Sequence, residues 1–328
     1  MKTYAITIKQ KSGLLTELQS DTIYGHFCWR LKEEGGEDDL KEFIELYRKN
    51  TPIFILSDGL IKINDDIRFP RPYLFPKIEN KQNKYEKIFS FVENKRNKEK
   101  NYITLEEINK FLMTGKVEIL EKEELNSNKK HLRNIKRIKP IEEALRVSVQ
   151  IDRKTFGSLE GRLFSYSPTY TRNDVSYVVF VKVFNDELFE KKYKEILLSV
   201  FTTGFGKKKS SGYGQFEVIN FSTFEKIKEP ENSNSFIVLG NYLPSNSDNV
   251  TPIGYDINTK YGKFGEEFSL SEDPFKNPIV FLTAGSCFKS ANVKPFYGRI
   301  TNKNEISSVN GFAVQFGMPF TLNFYCSF

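Results

Sequence analysis

The apolar residues of this chain change period repeatedly, and that change limits the folds open to it. In residues 3–9, Tyr4, Ile6 and Ile8 face one way and Thr3, Ala5, Thr7 and Lys9 the other, as a half-buried strand requires. Ser20 or Asp21 can cap a helix in which Ile23, Tyr24, Phe27, Cys28 and Leu31 recur at helical spacing until Gly35-Gly36. Leu40, Phe43, Ile44 and Tyr47 predict a second helix over 37–49. Strands at 53–56 and 60–63 flank Asp58-Gly59, a strong hairpin signal. Three prolines make 68–77 an extended loop. Residues 79–139 turn rich in Lys, Glu and Asn, with a helical patch near 104–113, and predict a solvent-facing insertion. Beyond it, Leu145, Val147, Val149 and Ile151 alternate with Arg146, Ser148 and Gln150. With Leu163–Tyr166 they predict a β-hairpin over about 144–166 with a long basic tip.

A buried strand at 175–184, a helix at about 186–201 and a strand at 215–221 complete the order β-α-β-β-insertion-β-α-glycine loop-β. Without its insertions this approximates the ferredoxin-like β-α-β-β-α-β pattern. The polar stretch 225–235 reads as a linker. Strands stand out afterwards at 236–242, 278–284 and 312–326, so an α+β domain over 1–225 and a divergent β-rich domain over 226–328 are expected. A length of 328 residues suits two domains.

The excess charge is local. The whole chain carries +7, and the window Lys129–Lys154 alone holds nine Lys/Arg against three acids, +6 of that total. A basic patch of this kind is the footprint of phosphate binding. Cys28, Cys287 and Cys326 fit neither a disulfide framework nor a zinc site. No apolar run approaches a membrane span, and MKTYAITIKQ lacks the apolar stretch of a signal peptide, so a reduced, cytoplasmic setting is expected.

Two constellations could carry chemistry. The first is Gly204-Phe205-Gly206-Lys207-Lys208-Lys209-Ser210-Ser211-Gly212-Tyr213-Gly214, between a predicted helix and a strand. Its glycines allow close backbone approach and positive φ, and its lysines and serines can donate to phosphate oxygens. It follows a helix, so it is neither a Walker nor a Rossmann loop. The alternative is a solvated turn with surface lysines. The second is the hairpin tip Asp152–Arg162, where Arg153 and Lys154 adjoin Phe156 and Leu159. Such a tip can hold phosphates and wedge between bases, or Phe156 can fold back on the core. Catalytic candidates are few. The histidines are His26, on the first predicted helix, and His131, in the insertion. Ser286-Cys287-Phe288-Lys289 matches Ser-x-x-Lys without supporting motifs. No cluster has metal-ligand spacing, and no cofactor is implied.

The loop GFGKKKSSGYGQF (204–216) resembles the glycine-rich loop of the RAMP superfamily of CRISPR proteins. SDTIYGHFCW (20–29), VSVQIDRKTFGSLEGRLF (147–164), TKYGKFGE (259–266) and NPIVFLTAGSCF (277–288) resemble stretches of its fourth-Csm-subunit family in type III-A effectors. The resemblance implies tandem ferredoxin-like (RRM-like) RAMP domains and a non-catalytic subunit that caps the 5′ handle of the crRNA. It implies that the subunit bridges the large polymerase/cyclase-like subunit to the backbone subunit and meets target RNA only indirectly. Gly204–Gly214 would hold handle phosphates, and Arg153–Gly161 would form a thumb-like hairpin with Phe156 or Leu159 as its wedge. The alternative is a metal-independent RAMP endoribonuclease that cleaves repeat RNA with His26 as general base.

Overall fold

The structure is a computed structural model that describes residues 1–74, 101–117, 139–265, 270, 273–302, 304–307 and 313–327. The insertion predicted over 79–139 lies outside the described residues except for 101–117 and 139, and His131 lies outside with it. Among the described residues, no helix is long and apolar enough to cross a membrane.

The first half runs β1 (Lys2–Gln10), α1 (Ser20–Arg48), β2 (Phe54–Leu56), β3 (Leu60–Ile63), β4 (Asp66–Pro70) and β5 (Tyr102–Ile103). It continues with α2 (Leu105–Thr114), β6 (Ile141–Glu143), β7 (Arg146–Ile151), β8 (Ser158–Tyr166), β9 (Thr169–Thr171) and β10 (Val175–Val183). Two helical turns (Asp186–Leu188 and a π turn, Phe189–Tyr193) then lead into α3 (Lys194–Thr202), followed by β11 (Phe216–Thr223). The main sheet has the order β11-β1-β10-β3-β4-β5, with β2 also on β10. Its pairings are antiparallel. Within the β-α-β-β-α-β run this is fourth-first-third-second.

The predicted alternation of β1 holds. Tyr4, Ile6 and Ile8 enter a core with α1 and α3, whereas Ala5 enters a second core on the opposite face. Strand β10 is buried on both faces. Val179, Val181 and Val183 join the helices, and Val178 and Phe180 face the second half of the chain. Lys182 shares that second face and is buried there. Its Nζ donates to the Thr321 carbonyl at 2.9 Å, and burial lowers its pKa. The predicted break at Gly35-Gly36 is a kink at Gly36 (φ 87°), after which α1 resumes up to Arg48. The helical patch near 104–113 is α2, which Thr104 and Glu107 start with a reciprocal capping box and Gly115 ends in the left-handed conformation.

Two local expectations are corrected. Asp58-Gly59 is not a hairpin turn: β2 and β3 pair with the same strand, β10, and the dipeptide bulges out between them. The bulge faces distant segments, with Asp58 N donating to Leu239 O and Gly59 N to Leu18 O. Residues 68–70, placed at the start of a proline-rich loop, belong instead to strand β4, where Pro70 is the last residue, beside the two-residue strand β5.

The second half runs β12 (Ser235–Val238), β13 (Val250–Gly254), β14 (Ile257–Lys260), β15 (Ile279–Leu282), β16 (Cys287–Ser290), β17 (Arg299–Ile300), β18 (Phe316–Gly317) and β19 (Thr321–Phe324). Its four-stranded sheet has the order β13-β16-β12-β19 and is antiparallel throughout. Counting those four in chain order gives fourth-first-third-second again, without connecting helices among the described residues. Ile237, Leu239, Leu322 and Phe324 pack with α2 on the far face of the main sheet. The stretch read as a linker is tied down, with Asn109 on α2 bonding the backbone of Lys226 and Lys228.

A buried carboxylate joins the halves. Asp21, 2% exposed at the start of α1, takes both Lys260 Nζ contacts (2.5 and 2.6 Å), Asn241 Nδ2 (2.7 Å) and Gln315 Nε2. Nearby, Asp58 Oδ1 accepts the Ser20 amide at 2.7 Å. Enclosure pushes the Asp58 carboxyl up to about 7 despite that bond, and Asp21 adds to the rise while Lys260 opposes it. We expect Asp21→Ala to cost about 3 kcal/mol in denaturant unfolding, because Lys260 loses its partner. The raised Asp58 pKa makes the folded state the better proton binder from about pH 4 to 7, so its stabilisation fades as pH rises through that window. Asp58→Asn should flatten the dependence of unfolding free energy on pH there, which a urea titration series would show.

Candidate nucleic-acid interface

The glycine loop follows α3 and precedes β11, as predicted, and its shape is fixed from within. Gly204, Gly206, Lys208, Gly212 and Gly214 have φ of 98°, 79°, 57°, 86° and 69°. A Cβ on Gly206 would lie 2.5 Å from Thr16 Oγ1, and one on Gly214 would overlap the Phe205 carbonyl. Phe205 is fully buried beneath the loop. At the two ends of the loop the backbone amides are spent on protein partners. Phe205 N donates to Gly214 O (2.8 Å), Gly206 N to His26 Nε2 (3.0 Å), Lys207 N to Thr16 Oγ1 (2.9 Å), Gly214 N to Gly13 O (2.8 Å) and Gln215 N to Ser12 Oγ (2.9 Å). Lys207, Lys208, Ser210, Ser211 and Gly212 remain exposed, and Lys209 and Tyr213 half-buried.

The hairpin expected over 144–166 is present as β7 and β8, and it reaches the loop. Cross-strand register puts Arg146 opposite Tyr166 and Ser148 opposite Phe164, hence on one face. The Lys208 ammonium lies 3.6 Å from the Tyr166 ring centroid and 4.8 Å from that of Phe164. Tyr213 Oη donates to Tyr166 Oη at 3.2 Å, a bond that holds the Tyr166 hydroxyl below its usual pKa. The hairpin base and the loop therefore form one surface of cations and half-exposed rings. The other hairpin face carries Val147, Val149, Ile151 and Leu163, all exposed.

The tip stands apart from that surface. Six residues of β7 at about 3.3 Å each set it roughly 20 Å from the clasp. Arg153 and Lys154 are exposed, Leu159 is half-buried, and Phe156 is 85% exposed instead of folding back on the core. Phe156 also has φ of 55° in a turn closed by Asp152, which accepts Phe156 N at 2.9 Å through its carbonyl and Lys154 N at 2.9 Å through Oδ1. A left-handed aromatic held out in water costs about 1–2 kcal/mol in backbone strain alone. The two predicted RNA-binding groups thus lie at opposite ends of one ribbon. Sequence reasoning missed Phe164, Tyr166 and Thr16. The hairpin prediction included the first two without a register, and nothing local linked Thr16 to the loop.

The catalytic candidates are not assembled. His26 Nε2 accepts an amide N–H, so that nitrogen carries a lone pair and no proton. Ser286 is buried, whereas Lys289 is exposed on β16. Cys28 is half-buried, Cys287 and Cys326 are buried, and all three are free thiols. Among the described residues, no group of His, Cys, Asp or Glu could hold a metal.

No protein-family model matches the chain. No curated protein matches it either. Solved structures do. A chain in the crystal structure of a Csm1–Csm4 cassette with pppApA superposes with a TM-score of 0.63 at 15% identity, covering 100% of both chains. A chain in the Csm3–Csm4 subcomplex of the type III-A CRISPR-Cas interference complex gives 0.62 at 18% identity, covering 99% of this chain and 100% of that one. The chain has the fold of those chains from Csm complexes. The likeness read from five short motifs therefore extends, as a fold, over the whole chain.

Two expectations follow from the geometry. Gly212→Ala faces open space and should cost only its φ strain, about 1 kcal/mol. Gly214→Ala adds overlap with the Phe205 carbonyl, so it should lower the thermal midpoint more and speed hydrogen exchange at Phe205 and Gly206. Tyr166→Leu should remove about 0.5–1 kcal/mol of cation–π attraction. It should raise hydrogen exchange over 146–166 with little change in the global midpoint.

Proposed function

We propose that this protein is a non-catalytic RNA-holding subunit of a type III-A (Csm) CRISPR effector complex, capping the 5′ handle of the crRNA. The observation that carries this reading is the glycine loop. Its amides at Gly206 and Lys207 are consumed in fixing its own shape, and Lys207, Lys208, Ser210 and Ser211 are exposed beside the aromatic base of a projecting hairpin. Cations with half-exposed rings suit single-stranded RNA, whose phosphates need charge and whose unpaired bases stack. Lys207, Lys208, Lys209, Ser210 and Ser211 hold handle phosphates. Arg153, Lys154, Phe156 and Leu159, a ribbon's length away, meet the guide further along, with Phe156 as the wedge.

The two sheets, each ordered fourth-first-third-second, support reading the chain as tandem RAMP units whose second copy lacks the connecting helices among the described residues. The pairings in the similar structures, Csm1 with Csm4 and Csm3 with Csm4, support a bridging role. On this reading the chain joins the large polymerase/cyclase-like subunit to the backbone subunit in the cytoplasm. It meets target RNA only through the guide, and cleavage belongs to partners. The endoribonuclease reading needs a free base at His26, and His26 Nε2 is engaged by Gly206.

The test is expression with the rest of the complex, followed by sequencing of the bound RNA. A short RNA with a uniform repeat-derived 5′ end should co-purify, and Lys207→Ala, Lys208→Ala and Lys209→Ala together should abolish it or block assembly. With purified protein and handle RNA, the same triple change should lower the slope of log affinity against log salt by up to about 2. The protein alone should leave repeat RNA uncut. Full handle protection by the triple variant, or site-specific cleavage lost in His26→Ala, would overturn the reading.

A further inference from the structure

We infer that His26 is a positioning residue for RNA binding: its Nε2 lone pair holds the Phe205–Gly206 peptide in the orientation that turns the lysines outward. The inference rests on the reading of the loop as an RNA contact. Among the described residues His26 is the sole histidine.

The geometry is specific. Gly206 N lies 3.0 Å from His26 Nε2, and the imidazole packs on Phe205 at 4.6 Å between centroids with a 39° tilt. Phe205 is fully buried, so the ring anchors the residue before the bonded amide. On the other side Thr16 Oγ1 takes the next amide, Lys207 N, at 2.9 Å, and leaves no room for a Cβ on Gly206. Two successive amides therefore point into the protein. In a loop this rich in glycine with alternating left-handed residues, successive amides commonly converge on an anion instead. His26 and Thr16 remove that option. At these two positions the loop meets phosphate with side chains, and the amides serve as struts. A ring protonated on both nitrogens would set a donor against the Gly206 donor and release the peptide.

Such a role separates cleanly from general-base chemistry and from simple packing. Gln carries an acceptor oxygen at a reach close to that of Nε2. Phe keeps the ring against Phe205 without an acceptor, and Asn is too short. The experiment measures binding of a labelled single-stranded RNA bearing the repeat-derived 5′ end to full-length His26→Gln, His26→Phe and His26→Asn, with thermal midpoints and hydrogen exchange at Gly206 for each. We expect His26→Gln to bind within about threefold of the unaltered protein with Gly206 protected. His26→Phe and His26→Asn should bind roughly tenfold more weakly, the cost of one unsatisfied amide, with Gly206 exchanging faster. Unchanged binding by both His26→Phe and His26→Asn overturns the inference, as does a His26→Gln protein that is folded yet as weak as they are. The Lys207/Lys208/Lys209 triple alanine variant is the control. If it too binds normally, the RNA reading of the loop has failed; if it alone weakens, only the positioning role has. Gly206 exchange tests the strut without RNA.

Discussion

Strand β10 is buried on both faces, and the rest of the molecule is arranged around that constraint. A strand with Val179, Val181 and Val183 on one side and Val178, Phe180 and Lys182 on the other needs a layer on each side. Helices α1 and α3 supply one, and α2 with the second sheet supplies the other. Even the misfit obeys the rule. Lys182 is accommodated because Thr321, in the second sheet, offers its carbonyl. The halves are further keyed by Asp21, which gathers Lys260, Asn241 and Gln315 around the first turn of α1. The same helix carries His26, so the element that fixes the second half also fixes the glycine loop.

The candidate interface works by division of labour. Backbone groups of the loop are satisfied by Gly13, Thr16 and His26, and charge is delivered by long side chains. Lys208 has a second task, since its ammonium rests over Tyr166 and Phe164 and couples loop to hairpin. On the proposed reading, an incoming phosphate would compete with those rings for the same cation. The exposed left-handed Phe156 at the far end is strain retained at a surface position, the pattern expected of a side chain kept for a partner.

Local periodicity made much of this legible. Tyr4, Ile6 and Ile8 gave away the face of β1, Gly36 the helix break, and the alternation from Leu145 to Ile151 the hairpin. Long-range partners were not legible. Asp58-Gly59 reads as a hairpin turn because its local chemistry suits one, yet it bulges to meet Leu18 and Leu239, contacts that no short window contains. The glycines of 204–214 read as room for a ligand. Most serve the protein, because Thr16 and Phe205 occupy that room, while Gly212 does face open space. The candidate site was found by composition, and its mechanism of presentation only by geometry.

The central claim is that one ribbon and one loop hold the guide together. Ultraviolet crosslinking of the assembled complex, with peptides mapped by mass spectrometry, tests it most directly. The account predicts that handle nucleotides crosslink within Gly204–Gly214 and the Phe164–Tyr166 segment, and that nucleotides further along the guide crosslink at Phe156. Crosslinks confined to the outer face of the second sheet, with neither segment labelled, would contradict it.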